Sequence, residues 1–548
     1  MAALFLCSPL CSASKNDSVK LASRKRTYFY KIDQAVVDGV ENGSPETIKQ
    51  AMSQIRKPDA EYAENEKVLI KVAAEIMQIV WPSERVTWEV PEVSADNSYL
   101  GAIESVKQGV FDSSTGNVDF LTIILPSLVL LTPTASQDVY PSCETAILNA
   151  LSLKSNSILA NYLMAVLLEK QGKYADSESF LRVAYGNSPK VEEIALAYVR
   201  VLRKNKNLEL AKTVLSSFST DSSELDVLKQ NAYVAFDTND LQSAELYVAR
   251  VLQQNPNDLE FLLFRAKILI EKNDYIHAVS LLDMYARQDS SSIDYLILRA
   301  RVQLDWSKNT NAATETVEKA LQSYPDNPDA LMFAARISSI IDAPVAGKYA
   351  DELASMVLSK NPDNQDALLY ALKGLIQRAN WQEAYTISKK LIAGTYVNSE
   401  IVEMYVQTCI SLKKNQEAYD FVKKQLDSNP DDELLQQAYV LAYSKVGNRD
   451  QVMKYIEGKL ATSSSKMKSY LYYRRSFLQY SEENALADLR SSLISNPRND
   501  DALFRLYEMY YDKKDYRKAQ YYLRQVVAIN PNDSSVKQLN EALTKLIK

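Results

Sequence analysis

The chain holds one histidine, His277, and four cysteines, Cys7, Cys11, Cys143 and Cys409. General-base, nucleophilic and metal chemistry draw heavily on these residue types, so the material for them is scarce. His277 stands beside Ala278 in an amphipathic stretch, where a packing or surface role outweighs a general base. Cys409 falls at an apolar position with nothing near in sequence to lower its pKa, and reads as a buried inert thiol. Carboxylate pairs occur at Asp431-Asp432 and Glu482-Glu483. A glycosidase would need such a pair, but these lie in turns and at helix starts, where the helix dipole favours negative charge. No phosphate-cradling glycine loop, dinucleotide fingerprint, HExxH helix or GxSxG elbow is present in the sequence. The reading is of a chain that is not an enzyme and carries no metal and no cofactor.

The elements that would have to position any site are helices. Glycine is only 12 of 548 residues, against a usual share of about 7%. Hydrophobic residues make up 46% and charged residues 24%, the balance of a chain with a sizeable core. Net charge is −6, so no global basic surface exists for a polyanion, and nucleic acid is not expected as a partner. Residues 1–14 read MAALFLCSPLCSAS. They are expected to form a signal peptide or hydrophobic leader cut near Ala13 or Ser14, with Lys15 as the first basic residue. A lipidated Cys7 is disfavoured by the bulky Leu6 before it. Export to the periplasm or cell envelope is therefore expected over a cytoplasmic location. The apolar run within 119–134 is too short to cross a bilayer and holds Pro126, so it reads as a buried helix.

Seven prolines punctuate the body: Pro189, Pro256, Pro325, Pro362, Pro430, Pro497 and Pro531, at separations of 67, 69, 37, 68, 67 and 34. Each separation is close to one or two units of 34. Twelve residues before each lie Ser177, Ala244, Ala313, Ala350, Ala418, Ala485 and Ala519. Between them run pairs of stretches with apolar residues spaced i, i+3, i+4, i+7. A proline ends one hairpin and separates it from the next. A small residue in the second helix lets two backbones approach. Such a hairpin cannot bury its face alone, so neighbours must stack.

This pattern resembles the tetratricopeptide repeat family, whose unit is 34 residues. Eleven units can be placed, starting at Ile158, Glu192, Leu225, Leu259, Ile293, Pro328, Gln365, Ser399, Glu433, Lys466 and Asp500. They occupy residues 158–533, with an N-terminal helical region over 15–157 and a C-terminal capping helix, polar on its outer side, over 534–548. In the N-terminal region helices are expected at 28–39, 45–55, 64–80 and 99–110; a separate small domain is the second reading there. The family's small residue in the first helix appears as Ala165, Ala232, Ala266, Ala300 and Ala335. Val406, Val440, Tyr473 and Tyr507 replace it later, and looser or differently angled packing is expected from them.

The resemblance implies an all-α, right-handed superhelical solenoid of stacked antiparallel helix pairs. It also implies that residues 2, 5, 9 and 12 of each unit line a concave groove. Position 9 holds six basic residues among eleven: Arg200, Lys267, Arg301, Arg336, Lys373 and Arg474. Position 2 holds Glu193, Asp226, Glu260, Asp294, Asp329, Asp366, Glu400 and Asp501. Either the basic ladder clamps the carboxylates of an acidic partner segment, or the two sets neutralise each other. The family's full carboxylate clamp is absent, since its Asn is missing from the ladder. Tyr162, Tyr233, Tyr470, Phe477, Phe504 and Tyr511 are aromatic groove candidates, with tyrosines dense in the last two units. The function expected is a scaffold that binds a protein or peptide partner in the groove. The alternative is an exported carrier enclosing a small molecule within the superhelix.

Overall fold

A computed structural model describes residues 28–56, 61–84, 86–94, 96–112, 119–218, 224–394, 397–531 and 534–547. The leader expected over 1–14, with Cys7 and Cys11, lies outside them. Among the described residues the chain is all-helical, and the only bridge is an isolated one between Val345 and Lys348. No helix is long and apolar enough to cross a membrane. The chain divides into two compact units, Met1–Lys272 and Asn273–Lys548.

The punctuation read from the prolines has a physical basis. A proline stops the preceding helix, and in five cases the side chain two places later caps the next one. Asp258, Asn327, Asn364, Asp432 and Asn499 stand two residues after Pro256, Pro325, Pro362, Pro430 and Pro497. Each accepts a hydrogen bond from a backbone N–H of the helix it opens. The first helices accordingly begin at Ile158, Glu192, Leu225, Leu259, Ile293, Pro328, Gln365, Ser399, Glu433, Ser465 and Asp500. The turn within most of the hairpins takes a left-handed residue. Gly172, Lys206, Asn239, Asn273, Ala379, Lys413 and Lys514 all take it, at φ between 55° and 75°. The small residues of the second helices are buried: Ala244, Ala278, Ala313, Ala384 and Ala418 are each 0% exposed.

In the first unit one apolar core runs from Phe29 to Val234. Helices Gln34–Asn42, Pro45–Ile55, Glu64–Val80 and Ser98–Lys107 share it with the first repeats. Ser44 caps the second of these by accepting from the Thr47 N–H. Residues 28–33, expected to be helical, precede their helix, which starts after the Asp33 cap. Residues 108–110 fall beyond the Lys107 helix end, where Gly109 turns left-handed. The run within 119–134 is buried as expected but is not one helix. It is α-helical over Phe120–Ile124 and 3₁₀ over Leu125–Leu131, because Pro126 lacks the N–H that an α-turn would need.

In the second unit the hairpins pack through a series of smaller cores. Val406 and Val440 are 0% and 1% exposed, so the larger residues do not open the packing there. Ala418, Ala438 and Ala442 share the Val406 core and leave it room. Cys409 is buried beside Tyr405, and burial pushes its thiol up to about 11. Cys143, in the first unit, is pushed up to about 12 by the same cause. His277 is exposed and pairs with Asp274, the cap of its own helix. Helix Ser534–Ile547 buries Val536 and Leu543, but its outer side is not wholly polar. Leu539 and Leu546 are 39% and 55% exposed, because no further hairpin among the described residues stacks on them.

Candidate partner-binding cavity

The first helices of four consecutive repeats, Ile158–Lys170, Glu192–Lys204, Leu225–Asp237 and Leu259–Glu271, place their groove positions around one cavity of about 730 Å³. Tyr162, Leu196 and Lys229 come from position 5, Glu193, Asp226 and Glu260 from position 2, and Arg200 and Tyr233 from position 9. Glu192, Glu224 and Gln230 complete the helical wall, and Pro82 and Ser83 reach it from the loop after helix Glu64–Val80. That loop is tied in place. Glu193 accepts hydrogen bonds from the Ser83 N–H and hydroxyl, both at 2.7 Å. Beneath the loop Trp81 is fully buried, donates its indole N–H to the Gly43 carbonyl at 2.9 Å and packs its ring 4.9 Å from that of Tyr162.

Several lining charges are already engaged. Arg200 makes a bidentate bond to Glu169, at 2.8 and 3.1 Å. Burial works against the Arg200 cation, but the Glu169 bonds outweigh it and hold its pKa above the ordinary arginine value. Lys229 pairs with Asp258 at 2.8 Å and sits over the Phe261 ring. Tyr233 donates to Glu260 and lies under the Arg203 guanidinium, 4.5 Å from its ring centre. Arg203 in turn pairs with Asp237 at 2.7 Å.

Two lining carboxylates, Glu192 and Asp226, have no side-chain hydrogen bond or ion pair among the described residues. Burial raises the Glu192 pKa first, and repulsion from Glu193, Glu224 and Asp226 adds to it. The wall carries five carboxylates (Glu192, Glu193, Glu224, Asp226 and Glu260) against two cations (Arg200 and Lys229). Among the described residues no group of three or more His, Cys, Asp or Glu converges as a metal site.

The rest of the position-9 ladder lies outside this cavity. Lys267 is exposed, with its ammonium 5.0 Å from the centre of the Phe236 ring. In the second unit Arg336 meets Asp305 at 2.5 Å and Arg301 meets the same carboxylate at 3.7 Å. Lys373 pairs with Glu400, a position-2 acid of the next repeat, at 2.8 Å. Arg474 donates to the Ser444 hydroxyl at 3.0 Å and has no carboxylate within ion-pair distance among the described residues. Its Nε and that of Arg505 are buried without partners. Arg505 stacks 3.6 Å over Phe477. Of the aromatic candidates, Tyr470 donates to the Gln437 carbonyl at 3.0 Å, Phe504 packs into the last core, and Tyr511 is 40% exposed. Sequence reading alone missed Glu192, Lys229, Ser83 and Arg505. The acidic doublet Glu192-Glu193 was the available signal for the first; Ser83 carries none, since its partner Glu193 is 110 residues away.

Comparison with known proteins places these features. The tetratricopeptide repeat family matches residues 235–302. No curated protein matches the chain. Among solved structures, PilW, a widely conserved type IV pilus biogenesis factor, is 16% identical with a TM-score of 0.34, covering 39% of this chain and 96% of its own. The human IFIT1 dimer with PPP-AAAA is 15% identical with a TM-score of 0.41, covering 73% and 95%. The Cut9–Hcn1 hetero-tetramer of the APC/C is 12% identical with a TM-score of 0.31, covering 96% and 97%. At such TM-scores these likenesses bear no functional argument. The family match falls on hairpins whose caps, left-handed turns and small-residue contacts recur along many of the other helix pairs. Residues 235–302 thus match the tetratricopeptide repeat family, within an all-helical chain of stacked helix pairs.

Proposed function

We propose that this chain is a protein-interaction scaffold, not an enzyme, and that it binds a segment of a partner protein along the groove-lining positions of its first helices. Proteins of this family generally act through protein–protein contacts. One observation carries the reading: positions 2, 5 and 9 of four successive repeats line a single cavity that keeps two carboxylates unpaired. The test is affinity capture from a native extract with the full chain as bait, beside a Glu192→Lys/Asp226→Lys variant of unchanged helicity. Partners captured by the native chain and lost by the variant are the expected result. Identical partner sets would sink the cavity as the binding site.

An acidic partner segment is the reading drawn from the basic ladder, and the pairing above narrows it. Arg200, Arg301, Arg336 and Lys373 each contact a carboxylate of the chain itself. What remains for an acidic segment is the exposed Lys267 and, farther on, Arg474 beside Arg505, with their buried unpartnered Nε atoms. Arg474→Glu should abolish capture of an acidic peptide there. The carrier alternative draws support from the cavity volume, which falls in the range of small-ligand sites. Native mass spectrometry of the purified chain, searched for a co-purifying small molecule, tests that. A location in the cell envelope is proposed from residues 1–14 alone; N-terminal sequencing of the protein recovered from its cells would check it.

A further inference from the structure

We infer that the first-unit cavity receives a basic segment of the partner, with a lysine or arginine side chain entering between Glu192 and Asp226 and meeting the Tyr162 hydroxyl. This rests on the groove-binding reading and gives it a chemistry opposite to that suggested by the ladder.

Two independent observations carry the inference. The first is charge. The engaged residues fall into internally satisfied pairs, Arg200 with Glu169 and Lys229 with Asp258, while Glu193 holds Ser83 and Glu260 holds Tyr233. Glu192 and Asp226 are left over, both acidic, on adjacent first helices. Two like charges facing one cavity repel, and a cation between them removes that repulsion. The second is Tyr162. Its side chain lines the cavity, yet the residue is only 6% exposed, and its hydroxyl has no hydrogen-bond partner among the described residues. The hydroxyl opens on the cavity with no partner from the chain, and hydroxyls in such sites usually find one. Tyr162 packs against Trp81, which is itself anchored to the Gly43 carbonyl. A ligand donor in the cavity would satisfy its oxygen.

The repeats also fix the length scale. Successive first helices stack at roughly the 8–10 Å of packed helices, so one extended segment crossing Glu192 and Asp226 meets them about three residues apart. A lone ion would be poorly served, because the carboxylates do not converge on one point. A chain with spaced cations would serve both.

The experiment measures fluorescence anisotropy of labelled dodecapeptides with the full-length chain. One peptide carries lysine at every third position and the other carries glutamate there. Both are titrated on an Arg474→Glu chain, which lacks the separate acidic-segment site; there the lysine peptide should bind and the glutamate peptide should not. Glu192→Gln/Asp226→Asn should weaken the lysine peptide about tenfold or more, and Tyr162→Phe a few-fold, since a charge-assisted contact outweighs a neutral one. An Asp431→Asn/Glu483→Gln control removes two exposed acids of the second unit and should change nothing. Equal binding of both peptides, or no loss with the double variant, would overturn the assignment. So would spermidine binding as tightly as the lysine peptide, which would make the ligand a small polycation. Covalent footprinting of captured native partners separates this failure from that of the scaffold. If the lysine peptide fails but a captured partner still protects Tyr233 and Lys229, groove binding stands and the basic assignment falls. If nothing protects the cavity, both fall.

Discussion

The cavity of the first unit and the Arg301–Lys373 stretch of the second use the same groove positions, yet they dispose of their charges in opposite ways. From Arg301 to Lys373 the ladder is closed on itself. Asp305 serves both Arg301 and Arg336, and Glu400 serves Lys373. In the first unit Arg200 and Lys229 are equally well paired, but Glu192 and Asp226 remain over. The difference teaches that charge at a groove position does not by itself mark a binding surface. What matters is the charge left after neighbouring repeats have satisfied one another. In one stretch that remainder is a bonded network, and in the other it is negative.

The strongest way to break the comparison is to remove the ring that packs behind Tyr162. Trp81 is fully buried and packs against Tyr162. Trp81→Ala should cost about 3–5 kcal/mol of stability, through lost contacts and the void left behind. Urea unfolding followed by circular dichroism would show it as a lower first transition. At denaturant concentrations where the variant stays folded, the lysine peptide should still bind more weakly. Native-like affinity would mean that Tyr162 needs no support and the Trp81 ring is incidental.

The next change makes the second unit resemble the first. Asp305→Asn withdraws the carboxylate that Arg301 and Arg336 share, at side-chain exposures of 19–34%. The expected loss is about 1–2 kcal/mol, less than for a fully buried pair because solvent screens it. The variant should also acquire affinity for the glutamate peptide, which the native chain lacks at this stretch. If the variant gains none, the ladder is not a latent anion site, and pairing is not what silences it.

Much of the fold was legible because its signals are local. Proline at about 34 or 68 residues, with Asn or Asp two places on, specifies both the stop of one helix and the cap of the next. Ten of the eleven first-helix starts coincide with the residues read from that spacing, and the eleventh differs by one, at Ser465. Pro126 marks an interruption of the apolar run, but proline alone does not specify that the run turns from α to 3₁₀. The site was legible only in part. That positions 2, 5 and 9 face a common space followed from the resemblance. Which arginine meets which acid did not. Arg336 reaches back 31 residues and Lys373 forward 27, and such long side chains choose among several acids at nearly equal cost. Ser83 and Trp81 were beyond reach, since nothing local in residues 81–83 signals that a loop will close over the first repeats.

Acidity should sharpen the comparison further. Burial raises the Glu192 pKa above its ordinary value of 4.5, and repulsion from Glu193, Glu224 and Asp226 adds to the shift. Protonation removes the negative charge that would attract a cation. Binding of the lysine peptide should therefore be full at neutral pH and fall as the pH drops through the raised Glu192 pKa, above the range of an exposed glutamate. Arg200, whose pKa is held above the ordinary arginine value, stays charged throughout and contributes no slope. Anisotropy titrations between pH 7.5 and pH 4.5, an interval set by the ordinary glutamate range, would check this. Affinity that holds constant down to the ordinary carboxylate range would show that Glu192 takes no part.

The smallest expected effect separates the two regions most cleanly. A carboxylate whose folded pKa is raised is one whose charged form the fold disfavours. Its contribution to stability is present below the unfolded pKa and is lost as pH rises through the folded one. At neutral pH Glu192 is thus a burden on the free protein, and Glu192→Gln should stabilise it, by a few tenths of a kcal/mol once solvent screening is allowed for. The same change should weaken the lysine peptide. Glu400→Gln, by contrast, removes the partner of Lys373, which is itself only 28% exposed. It should lower stability by a similar amount and leave lysine-peptide binding alone. Urea midpoints of the two variants measured side by side give the answer. Opposite signs would mean that the chain tolerates repulsion at Glu192 because a cationic partner relieves it. Equal losses would place Glu192 among the ordinary structural charges of the repeat.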